Sequence, residues 1–204
     1  MKGLLIKDFY TLIKQLKMFL LLIVFLSFLP GSSTSAFAVI YSAMLPITAL
    51  AYDERSKWHE LAAMMPYSAR NLVLGKYLLG YICVAAAAIL SFVVKIAFSF
   101  FSKQPTTVNI FMELLPVVCL ASLFLAVNLP FMFKMGVEKG RLAFFALAAI
   151  LAVGGVVFKD NAAKWLSSLQ MKFIFFIGFI LLLTVLINAI SIALSIRIYK
   201  NKEN

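Results

Sequence analysis

The chain has 204 residues, of which 64% are hydrophobic and 13% are charged, and its mean hydropathy is +1.02. A soluble domain of this length needs many more polar residues to cover its surface, so the composition excludes a soluble globular protein. The net charge of +11 would suggest nucleic acid as a partner of a soluble protein. In a membrane protein, however, basic residues gather at the ends of spans, so we expect no nucleic-acid partner.

A helix that crosses the hydrocarbon core takes roughly 20 mostly apolar residues. The sequence therefore predicts an all-α, polytopic membrane protein with about six transmembrane helices, forming one transmembrane domain over residues 1–204. We expect no separate soluble domain, so a subunit that supplies chemical energy has to be another chain.

The first elements are an amphipathic segment and two spans. Residues 1–16 place polar and apolar side chains on opposite faces, which predicts an interfacial helix before the chain turns into the membrane. The alternative is a frayed start of the first span. That span covers about residues 17–29 and ends at Pro30-Gly31, and the second covers about residues 36–52 with a kink at Pro46.

The remaining spans are predicted at residues 71–100, 109–133, 142–158 and 173–196, followed by a basic tail. The N-terminus, the second and fourth loops and the C-terminus together hold fourteen Lys and Arg residues, against five on the opposite side. Since positive charge stays in the cytoplasm, we predict that both termini are cytoplasmic.

The second loop, residues 53–66, is the longest polar stretch and has a helical pattern. Its apolar positions recur at i, i+3, i+4 and i+7, at Trp58, Leu61, Ala62 and Met65. Pro66 ends the predicted helix, and Ser68 is a candidate N-cap for the helix that follows. From the pattern alone, this cytoplasmic helix either transmits force between its two spans or rests on the inner leaflet.

Three runs of residues in this region resemble the membrane subunit of ABC-2 type transporters. They are Tyr52 to Trp58 (YDERSKW), Met65 to Arg70 (MPYSAR) and Val73 to Tyr77 (VLGKY). The short loops are most similar to permeases that export phenol-soluble modulins and related peptides. The resemblance implies a bacterial plasma-membrane permease, with both termini cytoplasmic, that exports amphipathic peptides or lipid-like molecules, as in resistance to antimicrobial peptides.

The resemblance also implies partners and site residues. Residues 53–66 would be a coupling helix that docks on a separate ABC ATPase subunit, which would bind ATP and Mg²⁺. The predicted docking residues are Asp53, Glu54, Arg55, Lys57, Trp58, Leu61 and Met65. The permease would also pair with a second copy of itself.

Two charged residues lie near the outer ends of predicted spans. Lys95 and Glu113 can pair with each other across neighbouring helices, or line an outer substrate path. Phe98 and Phe124 are further candidates for that path, because aromatic spans suit an apolar or amphipathic cargo. Phenylalanine is equally ordinary on a lipid-facing surface.

The sequence offers no candidate for catalysis or metal binding. It has no Walker A run and no nucleophile or zinc motif, and its two cysteines and one histidine lie far apart. A membrane-embedded enzyme would need paired acidic, His or Cys residues inside spans, which we do not find. The remaining alternative is a membrane immunity or scaffold protein that works without an ATPase partner.

Overall fold

A computed structural model describes residues 2–28, 38–65, 67–102, 107–140, 142 and 173–203. Its regular structure in these ranges is helical throughout, which confirms the predicted all-α class for this part of the chain. The helices are α1 (Lys2–Phe28), α2 (Leu45–Arg55), α3 (Trp58–Ala63), α4 (Ala69–Ser102), α5 (Thr107–Met135) and α6 (Phe173–Glu203). Short helical segments at 38–42 and 137–140 precede α2 and follow α5.

Three of these helices are long and apolar enough to cross a membrane. The qualifying stretches are Ala69–Ala97 in α4, Glu113–Met135 in α5 and Ile180–Asn201 in α6. They coincide with the predicted third, fourth and sixth spans. The predicted fifth span lies outside the described residues apart from Leu142.

The N-terminal segment differs from the prediction of an interfacial helix that turns into a separate span. α1 runs without interruption for 27 residues, or about 40 Å. No proline or glycine falls between Gly3 and Pro30, so nothing in the sequence ends the helix near residue 16. Asp8 lies on the inward face of α1 with Leu4 and Leu12 and is 2% exposed, whereas Phe9 and Tyr10 are mostly exposed.

The proline in the predicted second span distorts the helix ahead of it. Residues 43 and 44 form a turn with i→i−3 hydrogen bonds, from Ala43 N–H to the Ile40 carbonyl and from Met44 N–H to the Tyr41 carbonyl. Regular helix resumes at Leu45, with Pro46 in its first turn. Pro46 lacks an N–H to donate to residue 42, and proline is favoured where that N–H would have no partner.

α4 is the central helix of the described fold, since α1, α2, α5 and α6 all pack against it. The larger apolar core joins α2, α4, α5 and α6, and a smaller one joins α1 to α2 and α4 through Leu12, Leu45 and Leu79. Gly80 permits the close approach at the centre, because a Cβ there would lie 2.1 Å from Leu125 Cδ1.

Polar side chains also fasten α4 to α6. The Tyr77 hydroxyl lies 2.6 Å from Ser191 Oγ and 2.9 Å from Ser195 Oγ, and the Tyr81 hydroxyl donates to Asn188 Oδ1 at 2.6 Å. Such bonds between apolar helices satisfy groups that the bilayer cannot hydrogen-bond.

Four segments lie together at one end of the molecule: the N-terminal segment, the second and fourth loops and the C-terminal segment. The count of Lys and Arg residues assigns the same four segments to one side of the membrane. A recess there is bordered by residues from all six helices, among them Leu4, Asp53, Trp58, Lys76, Phe133 and Tyr199. The ring of Tyr199 also packs edge-on against Phe133, with 6.0 Å between centroids. We call this the charged end, and it holds the candidate site.

Candidate functional site

Four charged side chains meet at the charged end and form a closed, alternating cluster, which we call the ion ring. Lys7 Nζ lies 3.0 Å from Asp8 Oδ1 and 2.5 Å from Asp53 Oδ1. Lys76 Nζ lies 2.8 Å from Asp8 Oδ2 and 2.6 Å from Asp53 Oδ2. Each lysine therefore contacts both carboxylates, and the two positive and two negative charges cancel.

The ion ring is largely removed from solvent. Asp8, Asp53 and Lys76 are 2%, 4% and 6% exposed, and the side chain of Lys7 is 26% exposed. Buried charges are tolerated only when they are paired and hydrogen-bonded, and this arrangement meets that condition for both carboxylates. Removing any one member would leave an uncompensated charge in a buried site.

The helices bring the ring together from three separate parts of the chain. Lys7 and Asp8 lie in the second turn of α1, Asp53 lies near the end of α2, and Lys76 lies in the second turn of α4. The start of α4 is fixed by Ser68, whose Oγ accepts a hydrogen bond from Asn71 N–H at 3.3 Å. This confirms the predicted N-cap.

The predicted single helix over residues 53–66 is instead two pieces. α2 ends at Arg55, Lys57 adopts the left-handed conformation with φ of 51°, and the six-residue α3 begins at Trp58. On one continuous helix, Asp53 and Trp58 would point about 140° apart, at about 100° per residue. The break allows both to approach Lys7, whose Nζ lies 4.2 Å from the Trp58 ring centroid.

The outward side of this segment carries exposed apolar residues among charged ones. Leu61 is 49% exposed, Met64 83% and Met65 41%, and the neighbouring polar residues Arg55, Lys57 and Glu60 are exposed as well. We call these six residues the α3 surface. Of the predicted docking residues, Arg55, Lys57, Leu61 and Met65 lie on it, whereas Asp53 is buried in the ion ring.

Glu54 ties the same segment to the end of α5. Its Oε2 accepts a hydrogen bond from Val137 N–H at 2.8 Å. Gly136, just after α5, has φ of +80°, which is the left-handed conformation typical of glycine at a helix C-terminus. A Cβ at Gly136 would also lie 2.9 Å from Glu54 Oε1. The second and fourth predicted loops are therefore held together.

Of the predicted substrate-path residues with described side chains, Lys95 and Glu113 lie together and Phe124 lies apart from them. Lys95 Nζ and Glu113 Oε2 form a salt bridge at 3.0 Å, as the sequence suggested, and the Glu113 side chain is 50% exposed. Phe124 lies eleven residues beyond Glu113, about 16 Å along α5, and packs against the apolar core. The side chain of Phe98 lies outside the described residues.

The sequence patterns did not identify the ion ring. Asp8 falls within the predicted interfacial helix of residues 1–16, and Lys76 falls within the VLGKY run that carries the family resemblance. The available signals were a carboxylate beside inward-facing Leu4 and Leu12, and a lysine inside an apolar span. Across the described ranges, no group of His, Cys, Asp or Glu side chains could hold a metal ion.

A chain with membrane-length apolar helices, in whose described residues the buried charges are paired, is a helical integral membrane protein. Its sequence matches the family described as "ABC-2 family transporter protein" over residues 3–200. The chain therefore belongs to the ABC-2 family and is a permease, the membrane component of an ABC transporter, which in this family normally works with an ATPase subunit. No match was found among curated proteins or among solved structures.

Proposed function

We propose that this permease is the transmembrane subunit of an ATP-driven exporter, and that the α3 surface is where its ATPase subunit docks. The single observation that carries the proposal is the exposure of Leu61, Met64 and Met65 beside a buried, closed ion ring. Apolar side chains with a charged rim are the usual composition of an interface centre. A contact that transmits force must also be anchored to the rest of the fold, and the ion ring would provide that anchor.

The placement of this surface agrees with the cellular location of ATP. The charged end gathers segments that are rich in Lys and Arg, and such segments face the cytoplasm. We therefore propose that both termini and the α3 surface are cytoplasmic in a bacterial plasma membrane. ATP and Mg²⁺ would be bound by the partner, and this chain would contribute no residue to hydrolysis.

The proposed mechanism is alternating access driven by a partner that prefers one of two states. Two ATPase subunits would close on ATP and displace the α3 surfaces of two permease copies. α1, α2 and α4 meet at the ion ring, so displacement of one would be passed to the others. A path between the two copies would then open outward.

We propose amphipathic peptides or lipid-like molecules as cargo. The chain is rich in phenylalanine and exposes apolar side chains along α4 and α6, which suits a cargo that partitions into the bilayer. At the end opposite the ion ring, the half-exposed Glu113 and its partner Lys95 offer a polar contact for such a cargo. Phe98 and Phe124 remain proposed contacts along the same path.

The test is co-purification of the detergent-solubilised permease from its native cells, followed by an ATPase assay. We expect a nucleotide-binding subunit in equal amounts, and its loss with Leu61→Asp, which places a charge at the centre of the α3 surface. Asn201→Asp is the matched control, because it adds the same charge at an exposed position of the same end. Recovery of the chain without an ATPase would favour the immunity or scaffold alternative.

A further inference from the structure

Trp58 joins the α3 surface to the ion ring. It begins α3 and is partly buried, whereas Leu61 and Met65 of the same segment are exposed. Its ring lies 4.2 Å from Lys7 Nζ, within the range of a cation–π contact. Trp58 therefore faces the inside of the fold and not the surface where a partner would dock.

Lys7 has three partners from three segments of the chain. Its ammonium contacts Asp8 on α1, Asp53 on α2 and the Trp58 ring at the start of α3. Both carboxylates also bind Lys76, so a displacement of Lys7 would change the ionic contacts of Lys76 on α4. A displacement of α3 would therefore be transmitted to α1 and α4 through the contacts of Trp58 and Lys7.

We propose that Lys7 is a positioning residue that couples movement of α3 to α1 and α4 through Trp58 and the ion ring. This proposal rests on the proposed function, because the ATPase would drive the movement of α3. The role requires a cation that can lie on an aromatic face and bind two carboxylates. Arginine meets that requirement, since its planar guanidinium stacks on aromatic rings and pairs with carboxylates, whereas methionine does not.

The proposal separates docking from coupling. If Trp58 were the anchor inserted into the partner, its removal would abolish binding of the ATPase. If Trp58 instead carries force to Lys7, its removal leaves binding intact and reduces stimulation of ATP hydrolysis by the permease. Typical coupling energies correspond to about 5-fold to 150-fold effects, so we expect stimulation to fall by about fivefold or more.

The experiment compares the purified permease–ATPase complex for wild type, Lys7→Met, Lys7→Arg and Trp58→Leu. Lys17→Met is the matched control, because Lys17 is an exposed lysine on the same helix. We measure the amount of ATPase bound and the permease-dependent rate of hydrolysis. We expect every variant to bind a normal amount of ATPase. We expect Lys7→Met and Trp58→Leu to lose stimulation of ATP hydrolysis, and Lys7→Arg and Lys17→Met to keep the wild-type rate.

The outcomes separate failure of this proposal from failure of the proposed function. If no ATPase binds the wild type, the proposed function is wrong and the coupling role falls with it. If the ATPase binds and Trp58→Leu keeps full stimulation, the coupling role alone is overturned, and loss of binding in Trp58→Leu overturns it in favour of docking. Trp58→Leu leaves all four ring charges in place, so the test stands even where Lys7→Met does not fold.

Discussion

The ion ring predicts that charges of opposite sign in the cluster cannot be removed independently of each other. Asp8→Asn leaves Lys7 and Lys76 sharing Asp53 alone, so a site whose remaining carboxylate is 4% exposed carries an uncompensated positive charge. Removing one partner of a buried ion pair costs about 3–5 kcal/mol. We expect a loss of this size in the free energy of unfolding.

The double variant Asp8→Asn/Lys76→Met removes one charge of each sign. The neutral pair of Lys7 and Asp53, 2.5 Å apart, would remain. We therefore expect the double variant to be more stable than the sum of its single variants implies, by about 0.5–3 kcal/mol. The assay is equilibrium unfolding in mixed micelles, followed by tryptophan fluorescence.

The matched control for Asp8→Asn is Glu60→Gln, which makes the same chemical change in an exposed pair. Glu60 lies 3.8 Å from Lys57, and its side chain is 70% exposed. Surface pairs of this kind contribute little, so the expected change is within about 0.5 kcal/mol. Equal losses for Asp8→Asn and Glu60→Gln, or strictly additive losses in the double variant, would refute the reasoning.

Three further substitutions test the packing around the site by unfolding in the same micelles. Gly136→Ala should cost about 1–2 kcal/mol, because φ is +80° and the new Cβ would lie 2.9 Å from a carboxylate oxygen. Gly80→Ala should cost about 1–3 kcal/mol by forcing Leu125 aside. Gly75→Ala, with nothing within 4 Å of the new Cβ, should cost nothing and serves as control for both. Tyr77→Phe should cost about 0.6–2 kcal/mol through loss of its two serine contacts.

The helices were the predictable part of this fold. Runs of apolar residues bounded by prolines and polar clusters placed the third, fourth and sixth spans within a few residues of α4, α5 and the start of α6. Ser68 was predicted as an N-cap and is one. These features depend on neighbours in sequence, so one sequence is enough to find them.

The ion ring could not be predicted as a cluster, because it depends on contacts between residues up to 68 positions apart. Lys7 looks in sequence like an ordinary basic residue near a terminus, and Lys76 is a charge inside an apolar span whose partners the sequence does not identify. The break at Lys57 accompanies the same contacts, since it lets Asp53 and Trp58 both reach Lys7. The helical periodicity over residues 53–66 does not indicate this break between α2 and α3.

The central claim is that an ATPase docks on the α3 surface, and site-specific photocrosslinking tests it most directly. A photoreactive amino acid would replace Leu61 in one sample and Leu182, an exposed residue of α6, in the other. Adducts would be identified by mass spectrometry and by nucleotide binding. The account predicts an adduct with a nucleotide-binding subunit at position 61 and none with that subunit at position 182. Absence of the adduct at position 61, in a sample where the same ATPase co-purifies, would contradict the account.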